Sequence, residues 1–178
     1  MEKMTPRDAY EHASKHTRKV RGSWPEGEKI ILNDPYLSYK YARDIIKGRW
    51  PEAEAKYITN TFWAYEYARD VFKARWHEAE AGIKINPELA YQYALDVVKG
   101  WWSAGEAIIK TSPEWAFEYA YAVIKGRWPE GEAIIKTSPY WAYAYARKVI
   151  KGRWPEAEAR IKTDVYFFNE YRKNVLKK

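Results

Sequence analysis

A glutamate recurs every 26 residues along this chain, and a row of carboxylates is a candidate for metal binding or acid–base chemistry. Its six copies are Glu28, Glu54, Glu80, Glu106, Glu132 and Glu158. A reactive site also needs a second carboxylate or a histidine in defined geometry, and neither recurs on the same helix face as these glutamates. We therefore interpret the row as structural. An unpaired buried charge is costly, so each carboxylate is expected to pair with the arginine five residues before it, a recurring tyrosine hydroxyl, or nearby backbone N–H groups.

Two histidines have a spacing that suits a metal. His12 and His16 lie four residues apart, on one face of a helix, but His77 is distant and no third ligand is apparent. The chain has no cysteine, which excludes disulfides and thiolate zinc sites. Glycine-rich phosphate loops and nucleophile–histidine arrangements are also missing from the sequence. We predict no metal, no cofactor and no enzymatic activity.

A row of lysines and arginines offers a third kind of chemistry, the binding of phosphate groups. The pairs are Lys47 and Arg49, Lys73 and Arg75, Lys125 and Arg127, and Lys151 and Arg153. With a net charge of +7, they make nucleic-acid binding an alternative function. However, a surface that follows a phosphate backbone should be basic in every repeat, and the segments 61–86, 87–112 and 113–138 carry net charges of 0, −1 and −1. Trp101 also replaces an arginine of this row.

The elements that hold these residues repeat with the same period. Six tryptophans are each 26 positions apart: Trp24, Trp50, Trp76, Trp102, Trp128 and Trp154. A fixed period of this length is typical of solenoids, whose repeats bury their apolar faces only by stacking. We predict an all-α fold, a single α-solenoid domain of six short helix–turn–helix repeats over residues 1–178. Residues 1–34 form a degenerate N-terminal capping repeat, with about three extra residues before Trp24. The full repeats are 35–60, 61–86, 87–112, 113–138 and 139–164, and 165–178 is a C-terminal capping helix.

Each repeat has recognisable helix boundaries. An N-cap residue precedes position 1 of every full repeat: Asp34, Asn60, Asn86, Ser112 or Ser138. The first helix is expected to run about 13 residues and to end at a glycine in the C′ position, with a lysine just before it. These glycines are Gly48, Gly100, Gly126 and Gly152. The sequence Trp-Pro-Glu then opens a second helix of about 8 residues.

The first helix divides into a constant face and a variable face. Alanine at positions 4 and 8, tyrosine at position 7 and valine or isoleucine at positions 11 and 12 are spaced to form the core. Positions 2, 6 and 9 point away from that face and differ between repeats. Apolar groups and arginines there are typical interface anchors, although ordinary surface variation would give the same pattern. The candidate partner-binding residues are Tyr36, Lys40, Arg43, Phe62, Arg69, Leu95, Tyr121, Tyr140 and Arg147.

The repeat motif is similar to that of a known group of proteins. Its string, Ala-Tyr-x-Tyr-Ala-x-x-Val-Ile-Lys-Gly-Arg-Trp-Pro-Glu-x-Glu, resembles a short repeat of uncharacterised bacteriophage and bacterial proteins. The resemblance covers nearly the whole chain and implies a phage origin, but it brings no established activity. The motif does not match tetratricopeptide or ankyrin repeats, so no ligand is inferred from those families.

The expected function is a non-enzymatic binding module or scaffold that engages a protein partner through the variable face. If the phage resemblance holds, a host or virion protein is the natural partner and the host cytoplasm the natural location. Nucleic-acid binding through the lysine and arginine row and self-assembly into a structural protein remain alternatives. The charged N-terminus predicts neither a signal peptide nor a membrane span. The sequence leaves the oligomeric state open.

Overall fold

The protein is all-helical throughout the residues that the computed structural model describes, 4–16 and 24–177. The predicted class, an all-α solenoid of short helix–turn–helix repeats, is confirmed. The chain divides into two compact units, Met1–Ile83 and Lys84–Lys178. The extra residues predicted before Trp24 lie outside the described ranges. No helix in those ranges is long and apolar enough to cross a membrane.

In the first unit, the first helix of each full repeat begins as an α-helix and continues without a break into a wider π-helical turn. The helices are α1 Pro6–His16, α2 Pro25–Ile31, α3 Pro35–Lys40 with π1 Tyr41–Ile46, α4 Pro51–Tyr57, α5 Thr61–Tyr67 with π2 Ala68–Phe72, and α6 Glu80–Ile83.

The second unit repeats this arrangement. Its helices are α7 Pro87–Tyr93 with π3 Ala94–Val98, α8 Ser103–Ile109, α9 Pro113–Glu118 with π4 Tyr119–Ile124, α10 Pro129–Ile135, α11 Pro139–Tyr145 with π5 Ala146–Ile150, α12 Pro155–Ile161, and α13 Val165–Tyr171 with π6 Arg172–Leu176.

The predicted N-caps are confirmed at every full repeat. The Asp34 carboxylate accepts the backbone N–H of Leu37 at 2.9 Å, and the Asn86 side chain accepts that of Leu89 at 3.0 Å. Equivalent bonds are made by Asn60, Ser112 and Ser138. Each bond satisfies an N–H group that the first turn of a helix leaves unpaired.

The predicted C-terminal ends of the first helices are wrong in one respect. The left-handed residue is the lysine at position 13, not the glycine after it: Lys47, Lys73, Lys99, Lys125 and Lys151 have φ between 55° and 58°, whereas no described glycine has a positive φ. The cause is the π-helical last turn. The N–H groups of Lys125 and Gly126 both bond the Ala120 carbonyl, each reaching one residue further back than in an α-helical ending.

The core contains most of the residues predicted for it. The tyrosine at position 7 and the alanine at position 8 are buried in each full repeat, as Tyr145 and Ala146 show. Position 12 was wrongly assigned: Ile46 is 38% exposed, and the other residues at this position are half-buried. The wide π-helical turn rotates this position away from the packed face. Buried rings at position 5, such as Phe117 and Tyr143, take part in the core instead.

Candidate partner-binding surface

The recurring glutamate lies at the centre of a hydrogen-bond network that ties one repeat to the next. In the second unit, the Arg127 guanidinium donates two hydrogen bonds to the Glu132 carboxylate, of 2.8 and 2.9 Å. The Tyr145 hydroxyl of the next repeat donates to the same carboxylate at 3.0 Å. That hydroxyl also accepts the backbone N–H of Trp128 at 2.7 Å. The partners expected for the carboxylate, arginine and tyrosine, therefore both contact it.

The same network occurs elsewhere in both units. In the first, Glu54 binds Arg49 and accepts a 3.1 Å hydrogen bond from Tyr67. In the second, Glu158 binds Arg153 and accepts one of 3.3 Å from Tyr171. In the repeat 87–112, the indole of Trp101 takes the place of the arginine and donates to Glu106.

Within the network, the surroundings of Glu158 favour its charged form and those of Tyr119 favour its neutral form. Hydrogen bonding from Arg153 lowers the pKa of the Glu158 carboxyl, which favours the charged form. Burial, with the nearby Glu106 charge, raises the pKa of Tyr119 to about 12. At neutral pH these groups form a carboxylate, a guanidinium and a neutral phenol, each already bonded to its neighbours. This arrangement serves to join repeats.

The two histidines whose side chains the structure describes, His12 and His77, have different neighbours. The His12 ring packs on Trp24 with ring centroids 4.7 Å apart, and His77 Nδ1 lies 3.6 Å from a Glu80 oxygen. The His16 side chain lies outside the described residues. Within the described part of the chain, no three histidine, cysteine, aspartate or glutamate residues are close enough to share a metal ion.

The row of cations is only partly available to a ligand. Its arginines, Arg49, Arg75, Arg127 and Arg153, each form an ion pair with the network glutamate of their own repeat. Its lysines, Lys47, Lys73, Lys125 and Lys151, are exposed, and no carboxylate among the described residues lies within ion-pair distance of them. The positive charge open to a partner therefore comes mainly from the lysines.

The apolar members of the variable face lie at the surface. Tyr36, Phe62, Leu95, Tyr121 and Tyr140 are between 37% and 53% exposed. Two of them are steadied by an aromatic ring of the following repeat. Tyr36 lies 6.2 Å from Trp63 and Tyr140 lies 5.2 Å from Phe167, measured between ring centroids. Tyr36 and Tyr140 thus present apolar surface while packed against a neighbouring ring.

The charged members of this face differ in how they are held. Arg43 is paired with Asp44, and Arg69 with Glu66 and Asp70. The Lys40 amine lies over the rings of Tyr10 and Tyr36.

Arg147 stands apart from the other two arginines. It donates to the Tyr143 hydroxyl at 3.2 Å, but no carboxylate among the described residues reaches it.

The structure brings four predicted residues together in one groove of the second unit. Tyr121 and Lys125, from π4 and the residue after it, face Arg147 and Lys151 of the next repeat across a volume of about 650 Å³. Lys148, which the sequence analysis did not select, also lines this groove. A signal existed for it: position 10 is Asp44, Asp70 and Asp96 in the first three full repeats, but Ala122 and Lys148 in the next two.

No family model, curated protein or solved structure matches the chain.

Proposed function

We propose that this protein is a non-enzymatic repeat scaffold that binds a protein partner through the variable face of its first helices. The observation that carries the proposal is the exposure of the apolar side chains at positions 2 and 9, while the tyrosine and alanine at positions 7 and 8 are buried in each full repeat. Apolar and aromatic groups held at a surface by a rigid scaffold are the usual anchors of protein interfaces. The resemblance to phage repeat proteins makes a host or virion protein the proposed partner.

Two observations weigh against the alternatives that the sequence raised. The four arginines of the cationic row are already neutralised by glutamates, which weakens a surface meant to follow a phosphate backbone. The network carboxylates are engaged between repeats, which leaves them without the geometry of an acid–base or metal site. Both observations concern the Arg–Glu network and are independent of the variable face.

The test is affinity capture from a bacterial lysate, split into nuclease-treated and untreated halves. The bait is the full chain, compared with Phe62→Ser/Leu95→Ser, which removes two exposed apolar groups. Val165→Ser is the matched control, because Val165 is 75% exposed but lies outside the variable face. We expect one discrete protein in both halves, lost with the double variant and kept with the control.

Other outcomes contradict the proposal. Capture that disappears with nuclease would assign the surface to nucleic acid. A mass in solution that rises with protein concentration, without capture of another protein, would favour self-assembly. Equal capture by the double variant and the wild type would show that the variable face is not the interface.

A further inference from the structure

We infer that the groove between π4 and π5 binds an acidic peptide segment of the partner, through carboxylates that pair with Arg147. This inference rests on the proposed function, since it names the chemistry of the protein partner. The groove is lined by four cations, Lys125, Arg147, Lys148 and Lys151. All four side chains are exposed, and no acidic residue lines the groove.

Internal comparison of the repeats shows which ligand suits Arg147. In the first unit, Arg43 donates to the Tyr39 hydroxyl through Nη1 and to both Asp44 oxygens through Nε and Nη2. Arg69 repeats this geometry with Tyr65 and Asp70. The guanidinium at position 9 is thus fixed by a tyrosine on one side, and its other edge binds a carboxylate in bidentate fashion.

Arg147 keeps the first half of this geometry and lacks the second. Its Nη1 donates to Tyr143, as in the other two repeats. The residue that would supply the carboxylate is Lys148, so the exposed Arg147 has no carboxylate partner for its Nε–Nη2 edge among the described residues and lies beside a further positive charge. The Tyr143 hydroxyl also accepts a 3.1 Å bond from Asn174, which holds the tyrosine in place. The guanidinium is therefore oriented before any ligand arrives.

The charges around the groove favour an anion there. The half-buried Glu118 interacts with Lys148, which opposes the rise that burial causes in the pKa of this carboxyl, but Glu118 does not line the groove. The Lys148 amine lies 5.5 Å from the centre of the Tyr121 ring, which positions it over the groove. Four like charges with no acid between them raise the local concentration of anions, and Tyr121 offers an apolar contact beside them.

A peptide fits this groove better than a nucleic-acid strand does. A strand would need cations in successive repeats, yet the preceding repeat, 87–112, has a net charge of −1, and at position 15 it carries Trp101 in place of an arginine. The groove, with a volume of about 650 Å³, has room for acidic side chains of a peptide. The bidentate edge of Arg147 matches a carboxylate, as Asp44 and Asp70 demonstrate.

The test is a fluorescence anisotropy titration of the full chain with fluorescein-labelled octaglutamate, with octaglutamine and oligothymidylate as comparison probes. Lys148→Asp restores the residue type found at position 10 in three other repeats, so the fold should tolerate it. The new carboxylate should occupy the Arg147 edge and weaken octaglutamate binding about tenfold or more. Lys136→Asp makes the same change in charge at an exposed position outside the groove and should leave the affinity within about twofold.

A second variant separates bidentate recognition from general charge. Arg147→Lys keeps the positive charge but lacks the two-pronged edge, so it should weaken octaglutamate binding about fivefold. Circular dichroism melting confirms that each variant is folded.

Several outcomes would overturn the inference. These are no binding of octaglutamate, equal loss in the two aspartate variants, or tighter binding of oligothymidylate with the same dependence on Lys148. If octaglutamate fails to bind but the lysate experiment still captures a protein, only the inference fails. If no protein is captured in either half, the proposed function itself fails.

Discussion

The backbone N–H of Trp128 donates to the hydroxyl of Tyr145, seventeen residues later in the next repeat, at 2.7 Å. The same bond joins Trp102 to Tyr119 and Trp154 to Tyr171 at 2.8 Å. The tyrosine of the following repeat thus satisfies the backbone N–H of the N-cap residue, one of the N–H groups that the short second helix leaves unpaired. One hydroxyl group therefore links the start of the second helix to the repeat that follows it.

Tyr145→Phe should therefore be destabilising despite its small change in shape. The substitution leaves the buried Trp128 N–H without an acceptor and removes a donor to Glu132, which should cost about 1–3 kcal/mol of unfolding free energy. Urea unfolding followed by circular dichroism measures this loss. Tyr121→Phe is the matched control, because Tyr121 is exposed and its loss should stay within about 0.5 kcal/mol. An equal loss of unfolding free energy in the two variants would show that the hydrogen bonds of Tyr145 do not contribute to stability.

Most of the fold could be predicted because its signals are local or strictly periodic. The N-caps follow from residue type at one position, and the buried tyrosines and alanines follow from helical spacing. The π-helical turns could not be predicted, since no residue type marks them. The position of the left-handed residue depends on that turn, and so the prediction placed it at Gly126 instead of Lys125.

The candidate site was only partly predictable, for a different physical reason. Tyr121 and Arg147 were found because they vary on an outward face. Lys148 was missed because its importance depends on a neighbouring side chain. In the first unit, an aspartate at the equivalent position accepts hydrogen bonds from the Nε–Nη2 edge of the arginine. Lys148 cannot do this for Arg147. Such a relationship needs the geometry of the Arg43–Asp44 pair, which spacing alone does not supply.

Replacing a left-handed lysine with glycine should stabilise the protein. Lys99 has a φ of 58°, a conformation that costs a residue with a side chain about 1 kcal/mol more than glycine. Lys99→Gly should therefore stabilise the protein by about 1 kcal/mol, measured by urea unfolding. Gly100→Ala is the control: Gly100 does not have a positive φ, and an added Cβ would meet no atom within 4 Å. If Gly100→Ala is the more damaging change and Lys99→Gly gives no gain, the helix ends at the glycine.

Substitutions at two adjacent residues test the division between the core and the variable face. Ala120 is fully buried, whereas its neighbour Tyr121 is 48% exposed. Ala120→Leu adds volume where helices pack and should destabilise by about 1–3 kcal/mol. Tyr121→Ala combined with Leu95→Ser should leave the melting temperature nearly unchanged, because both side chains lie at the surface. Thermal unfolding by circular dichroism compares the two variants, and unfolding of the double variant would mean that the helix faces are wrongly assigned.

Alkaline pH should unfold the protein through its buried tyrosines. Burial, reinforced by Glu28 and Glu106, raises the pKa of Tyr41 and Tyr119 to about 12, from the ordinary value of 10. The folded state thus retains protons that the unfolded chain releases. The stability is fully present below pH 10 and is lost as the pH rises toward 12. Melting temperatures should fall across this interval, and the part of the tyrosinate absorbance that comes from the buried tyrosines should rise in step with the loss of helix. Full tyrosine ionisation near pH 10 in a still-helical protein would contradict the burial described here.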